Sequence, residues 1–260
     1  MIALSSGLIG ILGVGHLGEI LVDGLLRAGV DPARILLAPR GNAGAISRRS
    51  GIEVAASNED LVDRCQTIIL AIRVDQALAA LSPLPWRRGQ ILLSACAGIS
   101  IAALQAQLPE GVQIFRFMPF SSADLGESPT AIFPANDAVR AFMQAFGPVI
   151  PLPREADFET ASTFASMYGW VHRLIGISAD WAIRNGLTEE TANQFAAFST
   201  ISAGRNVVAR DLAVDDLLEH LATPGGITEH GLNHLAQNDI ARIWDEALTS
   251  VRAKLVSTAQ

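Results

Sequence analysis

Three glycines, Gly13, Gly15 and Gly18, follow the apolar run Leu8–Leu12 in Gly-x-Gly-x-x-Gly spacing. That pattern suits a strand–turn–helix unit that receives a dinucleotide. Gly13 would permit the tight turn, Gly15 would let the backbone approach a pyrophosphate, and Gly18 would let helix and strand pack closely. His16 and Leu17 complete the loop. The helix that opens there would offer unpaired N–H groups and partial positive charge to phosphate oxygens. Past the next apolar run, an NAD site would carry Asp or Glu to hold the ribose hydroxyls. This chain reads Ala38-Pro39-Arg40-Gly41-Asn42 there. An Arg without an acid suits a 2′-phosphate, so NADP is the expected cofactor. The plain alternative for Arg40 is a solvated turn residue.

A second motif lies far downstream: Thr223-Pro224-Gly225-Gly226-Ile227-Thr228. Gly225 and Gly226 allow a bare backbone turn, and Thr228 opens a helix. A carboxylate could rest on that helix N-terminus, with the hydroxyls of Thr223 and Thr228 as further donors. Thr228 could equally be an ordinary N-cap. Tyr168, the only tyrosine, could give a proton to a carbonyl or imine, or could simply pack. Glu229 suits the first turn of a helix without any function, and His230 is a weaker general-acid candidate. The remaining histidines (His16, His172, His220 and His234) are scattered, and Cys65 and Cys96 lack ligand spacing, so no metal is expected. Cys96 reads as a small buried hydrophobe.

The elements that must position these residues fall into two textures. Up to about Leu152, strand-like runs (Leu8–Leu12, Ile35–Ala38, Thr67–Ile72, Gln90–Ser94, Val112–Phe117) alternate with helical stretches. The latter are His16–Ala28, Asn58–Arg64, Asp75–Leu81 and Ser100–Leu108. Near-continuous apolar strands alternating with helices predict an open, mostly parallel α/β sheet. The proline-rich stretch 147–153 breaks the alternation. Long helical patterns follow at about Asp157–Asn185, Thr188–Ala209, Ala213–Leu221, Thr228–Gln237 and Asp239–Ser257. The expected division is therefore a dinucleotide-binding Rossmann domain over 1–153 and an all-α domain over 154–260. From Phe164 to Ile183 the pattern is apolar nearly all round. A helix without a solvated face is buried, either in a subunit interface, as expected here, or as a central helix of its own chain.

Composition narrows the classes. The 260 residues are 50% hydrophobic, enough for substantial cores. The net charge is −7, with no cluster of basic residues beyond pairs such as Arg48-Arg49, which speaks against nucleic acid. Residues 154–260 hold 14 acidic and 8 basic side chains, against 12 and 11 before them. A near-neutral first part suits a polyanionic cofactor. Mean hydropathy is +0.32, yet the longest apolar runs are strand-length, so no membrane span is expected. The N-terminus lacks a basic leader, and two cysteines suit a reduced, cytoplasmic setting.

The ordered motifs resemble the pyrroline-5-carboxylate reductase family over almost the whole chain. The residues that carry the resemblance are the Gly13–Gly18 loop, Asn58, the strand end Leu70-Ala71-Ile72-Arg73 and the segment Ser94-Ala95-Cys96-Ala97-Gly98-Ile99-Ser100. They continue with Arg116-Phe117-Met118-Pro119 and Thr223–Thr228, the most specific of the set. The resemblance implies a Rossmann domain, then a helical dimerisation and substrate domain, in a homodimer or higher homo-oligomer. It implies that Asn58, Ala71, Arg73, Ala97, Gly98, Met118 and Pro119 line the cofactor, and that the Thr223–Thr228 loop helps form an imino-acid pocket. The implied activity is NADPH-dependent reduction of a cyclic imine, pyrroline-5-carboxylate to proline. Lys254 is the sole lysine. An imine reductase tolerates that; a β-hydroxyacid dehydrogenase, which uses a catalytic Lys in its helical domain, does not.

Departures from the family pattern gather near the implied pocket. Phe120-Ser121-Ser122 stand where Asn-Thr-Pro is usual, and Arg73-Val74 where Lys-Pro is usual. Ala165-Ser166-Met167-Tyr168-Gly169 replaces Gly-Ser-Gly-Pro-Ala, and Ile227 replaces Thr or Ala. Phe120 is thus a substrate-side candidate, and Thr228 and Tyr168 are the catalytic candidates. Two alternatives stay open: an NADP-dependent oxidoreductase acting on another imine or carbonyl compound, and a non-catalytic NADP-binding protein.

Overall fold

The computed structural model describes residues 7–210 and 212–258. The chain forms two compact units. One runs to Ala165 and takes up the chain again from Arg252; the other is Ser166–Val251.

The first unit is built on one eight-stranded sheet. Its strands are β1 (Leu8–Leu12), β2 (Ile35–Leu37), β3 (Glu53–Val54), β4 (Cys65–Leu70), β5 (Ile91–Ser94), β6 (Gln113–Met118), β7 (Thr130–Phe133) and β8 (Val149–Pro151). Their order is β3-β2-β1-β4-β5-β6-β7-β8. All pairs are parallel except the antiparallel β6 and β7. The order reverses between β1 and β4, a switch point at which the chain leaves adjacent strand ends in opposite directions and opens a crevice. The register there sets Leu12 beside Leu70, so the turns after both strands meet at the same edge. Ile9, Ile11, Ile68, Ile69 and Leu70 are fully buried, as strands covered on both faces require.

The helices of this unit are α1 (His16–Arg27), α2 (Ala43–Ser50), α3 (Asn58–Arg64), α4 (Val74–Leu81), α5 (Ile101–Gln105) and α6 (Asp137–Met143). The five strands read from sequence are present to within two residues at each end. Strands β3, β7 and β8 and helices α2 and α6 were not foreseen. The proline-rich stretch read as a break carries β8 instead. Val149–Pro151 pairs only with β7, and an edge strand tolerates a residue that cannot donate to the ladder.

Arg116, on β6, is 1% exposed. Its Nη1 donates to Glu155 Oε1 at 3.0 Å and its Nη2 to Glu159 Oε1 at 2.7 Å. The guanidinium lies 4.0 Å from the centre of the Phe158 ring. Glu155 Oε1 also accepts from the Ile101 amide at 2.7 Å. A buried cation is tolerable only with such partners, and this one ties β6 to the start of the next helix, α7 (Phe158–Arg184).

The second unit is helical: the rest of α7, α8 (Glu189–Ala209), α9 (Val214–Leu221), α10 (Ile227–Gln237) and most of α11 (Ile240–Thr258). Trp170 and Trp244 meet edge to face at 5.6 Å, joining α7 to α11. The apolar stretch of α7 is not covered by its own chain: Leu174 is 46% and Trp181 61% exposed. That disposes of a central helix within one chain's core. Among the described residues no helix is long and apolar enough to cross a membrane.

Replacing Arg116 by Ala leaves Glu159 partly buried beside an apolar ring without its cation. Unfolding stability is expected to fall by about 3–5 kcal/mol, read from the urea midpoint; a loss below about 1 kcal/mol would contradict the tie assigned to it.

Candidate active site

The turn after β1 is shaped by glycine. Gly13 has φ +107°, and a Cβ there would lie 2.5 Å from the carbonyl oxygen of Ala71 and 2.4 Å from Ile72. A Cβ on Gly18 would lie 2.2 Å from the carbonyl oxygen of Gly13, so only glycine lets α1 start this close to the strand end. Gly15 differs. Nothing lies within 4 Å of its would-be Cβ, and the residue is exposed at the N-cap of α1 without a side-chain cap. The backbone is bare and the helix N-terminus open, as a pyrophosphate requires.

A cleft of about 280 Å³ lies at this turn. It gathers Gly13, Gly15, Arg40, Asn58, Ala71 and Arg73 from four separate turns of the sheet. Asn58 is the first residue of α3, capped by Ser57, whose Oγ accepts from the Asp60 amide at 3.2 Å. The Asn58 amide is half-buried and makes no hydrogen bond among the described residues. Arg40 is exposed and likewise has no ion pair among them. Arg73 is exposed and pairs with Asp75 at 3.2 Å. An open glycine backbone, a spare amide and a spare guanidinium at one cleft fit a phosphorylated dinucleotide.

The other cofactor candidates do not line this cleft. His16 is exposed at the start of α1, Leu17 packs against the core, and Gly18 serves the close approach just described. Ala97 and Gly98 follow β5, and Met118 and Pro119 end or follow β6, along the same C-terminal edge of the parallel strands. The sequence reading missed Gln76 and Ala80, which line the cleft from α4; their i, i+4 spacing on one helix face was the available signal.

Cys96 is buried, its Sγ 3.5 Å from the carbonyl oxygen of Ile72. Burial pushes its thiol up to about 11 and that of Cys65 up to about 12. Both are inert protonated thiols at neutral pH. Among the described residues no three His, Cys, Asp or Glu side chains gather as a metal site would need.

The Thr223–Thr228 turn belongs to the helical unit. Gly225 has φ +73°, and the Gly226 amide closes the turn on the Thr223 carbonyl at 2.8 Å. Gly226, not Thr228, is the N-cap of α10. Thr228 sits in the first turn, exposed, and neither its hydroxyl nor that of Thr223 has a hydrogen bond among the described residues. The capping alternative for Thr228 therefore fails. Glu229 reaches back, its Oε2 accepting from the Gly225 amide at 2.7 Å. Tyr168, on α7, is half-buried and meets the His172 ring edge to face at 4.4 Å. Phe120 belongs to the first unit, where its amide donates to Ser128 Oγ at 2.7 Å.

Comparison with known proteins agrees with both halves. Residues 8–98 match the family model described as NADP oxidoreductase coenzyme F420-dependent, and residues 155–257 match pyrroline-5-carboxylate reductase dimerisation. Relatives extend over nearly the full length. A pyrroline-5-carboxylate reductase of Methanosarcina acetivorans is 24% identical, covering 92% of this chain and 93% of its own. Pyrroline-5-carboxylate reductase 3 of Danio rerio is 27% identical, covering 97% and 92%. The chain's helical half thus matches the pyrroline-5-carboxylate reductase dimerisation family, and its full length is similar to pyrroline-5-carboxylate reductases. The crystal structure of the Plasmodium falciparum member with NADP bound shares its fold, with a TM-score of 0.87 at 22% identity, covering 99% of this chain and all of that one. The family's fold is thus kept: a largely parallel sheet with helices, followed by a helical C-terminal region.

Gly15 and Gly18 separate function from folding. Gly15 has φ −86°, which any residue can adopt. Gly15→Ala is expected to melt as the wild type does while weakening dinucleotide binding; Gly18→Ala is expected to lower the melting temperature. Equal thermal loss in both variants would contradict the cradle. Neither cysteine is expected to react with iodoacetamide at neutral pH until the protein is denatured.

Proposed function

We propose that this chain is an NADPH-dependent reductase of a cyclic imine, converting pyrroline-5-carboxylate to proline. The observation that carries the reading is Arg40, without a partner among the described residues, at the cleft of the Gly13–Gly18 turn, with no acid at the end of β2. The likeness to pyrroline-5-carboxylate reductases over nearly the full length supports the reaction class.

NADPH, when bound, supplies a hydride to the ring carbon of the protonated imine, leaving a secondary amine. The chain's own part is orientation and electrostatics. The bare backbone at Gly15 and the N-terminus of α1 hold the pyrophosphate. Arg40 pairs with the 2′-phosphate, and its planar fork matches phosphate oxygens. Asn58, Ala71 and Arg73 border the nucleotide, with His16 and Leu17 beside them. Ala97, Gly98, Met118 and Pro119 are assigned to the cofactor on the family resemblance, and their place at the sheet's C-terminal edge is compatible with it. On the substrate side, the backbone turn Gly225-Gly226 and the N-terminus of α10 receive the carboxylate, with the hydroxyl of Thr223. The Thr228 hydroxyl hydrogen-bonds the ring nitrogen. Tyr168 is assigned as a proton donor and Phe120 as a wall that selects the substrate's shape. The large rings at Phe120 and Tyr168 favour, as a second reading, a more apolar imine or a carbonyl compound.

The working form we infer is a homodimer made through the helical unit. Its exposed faces carry Trp181, Phe195, Phe198 and Val208, which are 61%, 65%, 65% and 88% exposed. So much uncovered apolar surface marks an interface, and the dimerisation match spans it. Two buried free thiols suit a reduced, cytoplasmic setting.

The test is oxidation of NADPH with pyrroline-5-carboxylate, run beside NADH. Rapid oxidation of NADPH, slower with NADH, is expected; NADPH binding without turnover on this substrate would overturn the substrate assignment. Thr228→Ala is expected to lower kcat roughly tenfold, the scale of one hydrogen bond at the reacting centre, with NADPH affinity unchanged. Equal losses in both would remove Thr228 from the substrate. Phe198→Glu is expected to shift the protein toward monomer in light scattering at micromolar concentration.

A further inference from the structure

Asn42 stands at the N-cap of α2, where an Asn side chain ordinarily accepts from the first amides of its own helix. Here it makes no such bond. Its Nδ2 instead donates to Glu19 Oε2, in the first turn of α1, at 2.6 Å. Its backbone amide donates to the carbonyl oxygen of Val14 at 2.7 Å. Next to it, Gly41 presses on the same carbonyl: with φ +74°, a Cβ would lie 2.2 Å from the Val14 oxygen. The turn that bears Arg40 is therefore fastened by its backbone to the turn that bears Gly13 and Gly15, and by the Asn42 side chain to the helix which that turn opens.

Glu19 is itself held from a second side. Arg49, in the last turn of α2, reaches it at 3.3 Å and Asp23 at 2.8 Å. The carboxylate nearest the phosphate end of α1 thus spends its charge on Asn42 and Arg49. Arg40 is left as the guanidinium without an ion pair among the described residues at this cleft.

We propose that Asn42 is a positioning residue for cofactor choice. By giving up its capping bond for Glu19, it locks the Arg40 turn onto the glycine turn, so that Arg40 stands at a fixed distance from a pyrophosphate and meets the 2′-phosphate of NADPH. The inference rests on the NADPH reading above. A loose turn would still bind the parts common to NADPH and NADH through Gly15 and α1, but would lose the 2′-phosphate.

The experiment measures kcat and KM for NADPH and NADH in the wild type, Asn42→Ala, Glu19→Ala, Glu19→Gln, Arg40→Ala and the Arg40→Ala/Asn42→Ala pair. Asn42→Ala is expected to raise KM for NADPH roughly tenfold, the scale of a charge-assisted bond. Its kcat and its KM for NADH are expected to stay within about twofold of the wild type. Glu19→Ala is expected to reproduce that loss of preference. Glu19→Gln keeps an acceptor for Asn42 and is expected to retain most of it. In the Arg40→Ala background, Asn42→Ala is expected to change nothing further. Equal rises in KM for both cofactors, or full additivity with Arg40→Ala, would overturn the proposal. A wild type that prefers NADH, or binds neither, would overturn the cofactor reading instead.

Discussion

The close approach of α1 to the end of β1 is the constraint on which the site depends. Gly18 lies so near the Gly13 carbonyl that no side chain fits between them. This contact aims the open N-terminus of α1 at the crevice beside the β1–β4 switch point, where the turns after β1 and β4 meet. The second turn is set by the first: Gly13 leaves no room for a side chain against Ala71 and Ile72. The third turn, after β2, closes on Val14 through Gly41 and Asn42. Three loops distant in sequence are thereby held to one another by backbone contacts, and the Asn42 side chain on Glu19 adds to the hold on the third. Binding then costs little ordering of the protein, the usual advantage of a preformed site.

The parts of the fold that were legible in the sequence are those whose requirements are local. The strands β1, β2, β4, β5 and β6 announce themselves because both faces are covered and most of their positions are apolar. The glycine turn is legible because Gly18 answers to the Gly13 carbonyl a few residues before it and Gly13 to its own positive φ. Other elements have weak local signatures. Helix α2, Ala-Gly-Ala-Ile-Ser-Arg-Arg-Ser, buries only Ala43 and Ile46, too little for an apolar stripe. Strand β3 has two residues, and β8 contains Pro151; each exists because a neighbouring strand offers an edge. Helix α6 did carry a signal, Asn136 accepting from the amides of Ala138 and Val139, that the reading passed over.

The same division runs through the site. Arg40 was legible from its place just past a strand end, and Asn58 through the family resemblance; both line the cleft. Gln76 and Ala80 were not, since α4 brings them to the cleft only once the sheet has formed. Thr228 was read as opening its helix, whereas the turn tightens two residues earlier at Gly226 and leaves the hydroxyl unengaged. In the helical unit the sequence pattern marks α7 as apolar nearly all round, and its own chain leaves Leu174 and Trp181 exposed. What it could not supply was the partner, since burial within one chain and burial between chains leave the same pattern.

The central claim is that the three fastened turns hold NADPH, with the pyrophosphate over Gly15 and the 2′-phosphate on Arg40. A crystal structure of the protein with NADPH tests it most directly. The account predicts the diphosphate within hydrogen-bonding distance of the α1 N-terminus and the Arg40 guanidinium on the 2′-phosphate, with the turns after β1 and β2 unmoved. A 2′-phosphate turned to solvent, or a nucleotide bound away from the Gly13–Gly18 turn, would contradict it.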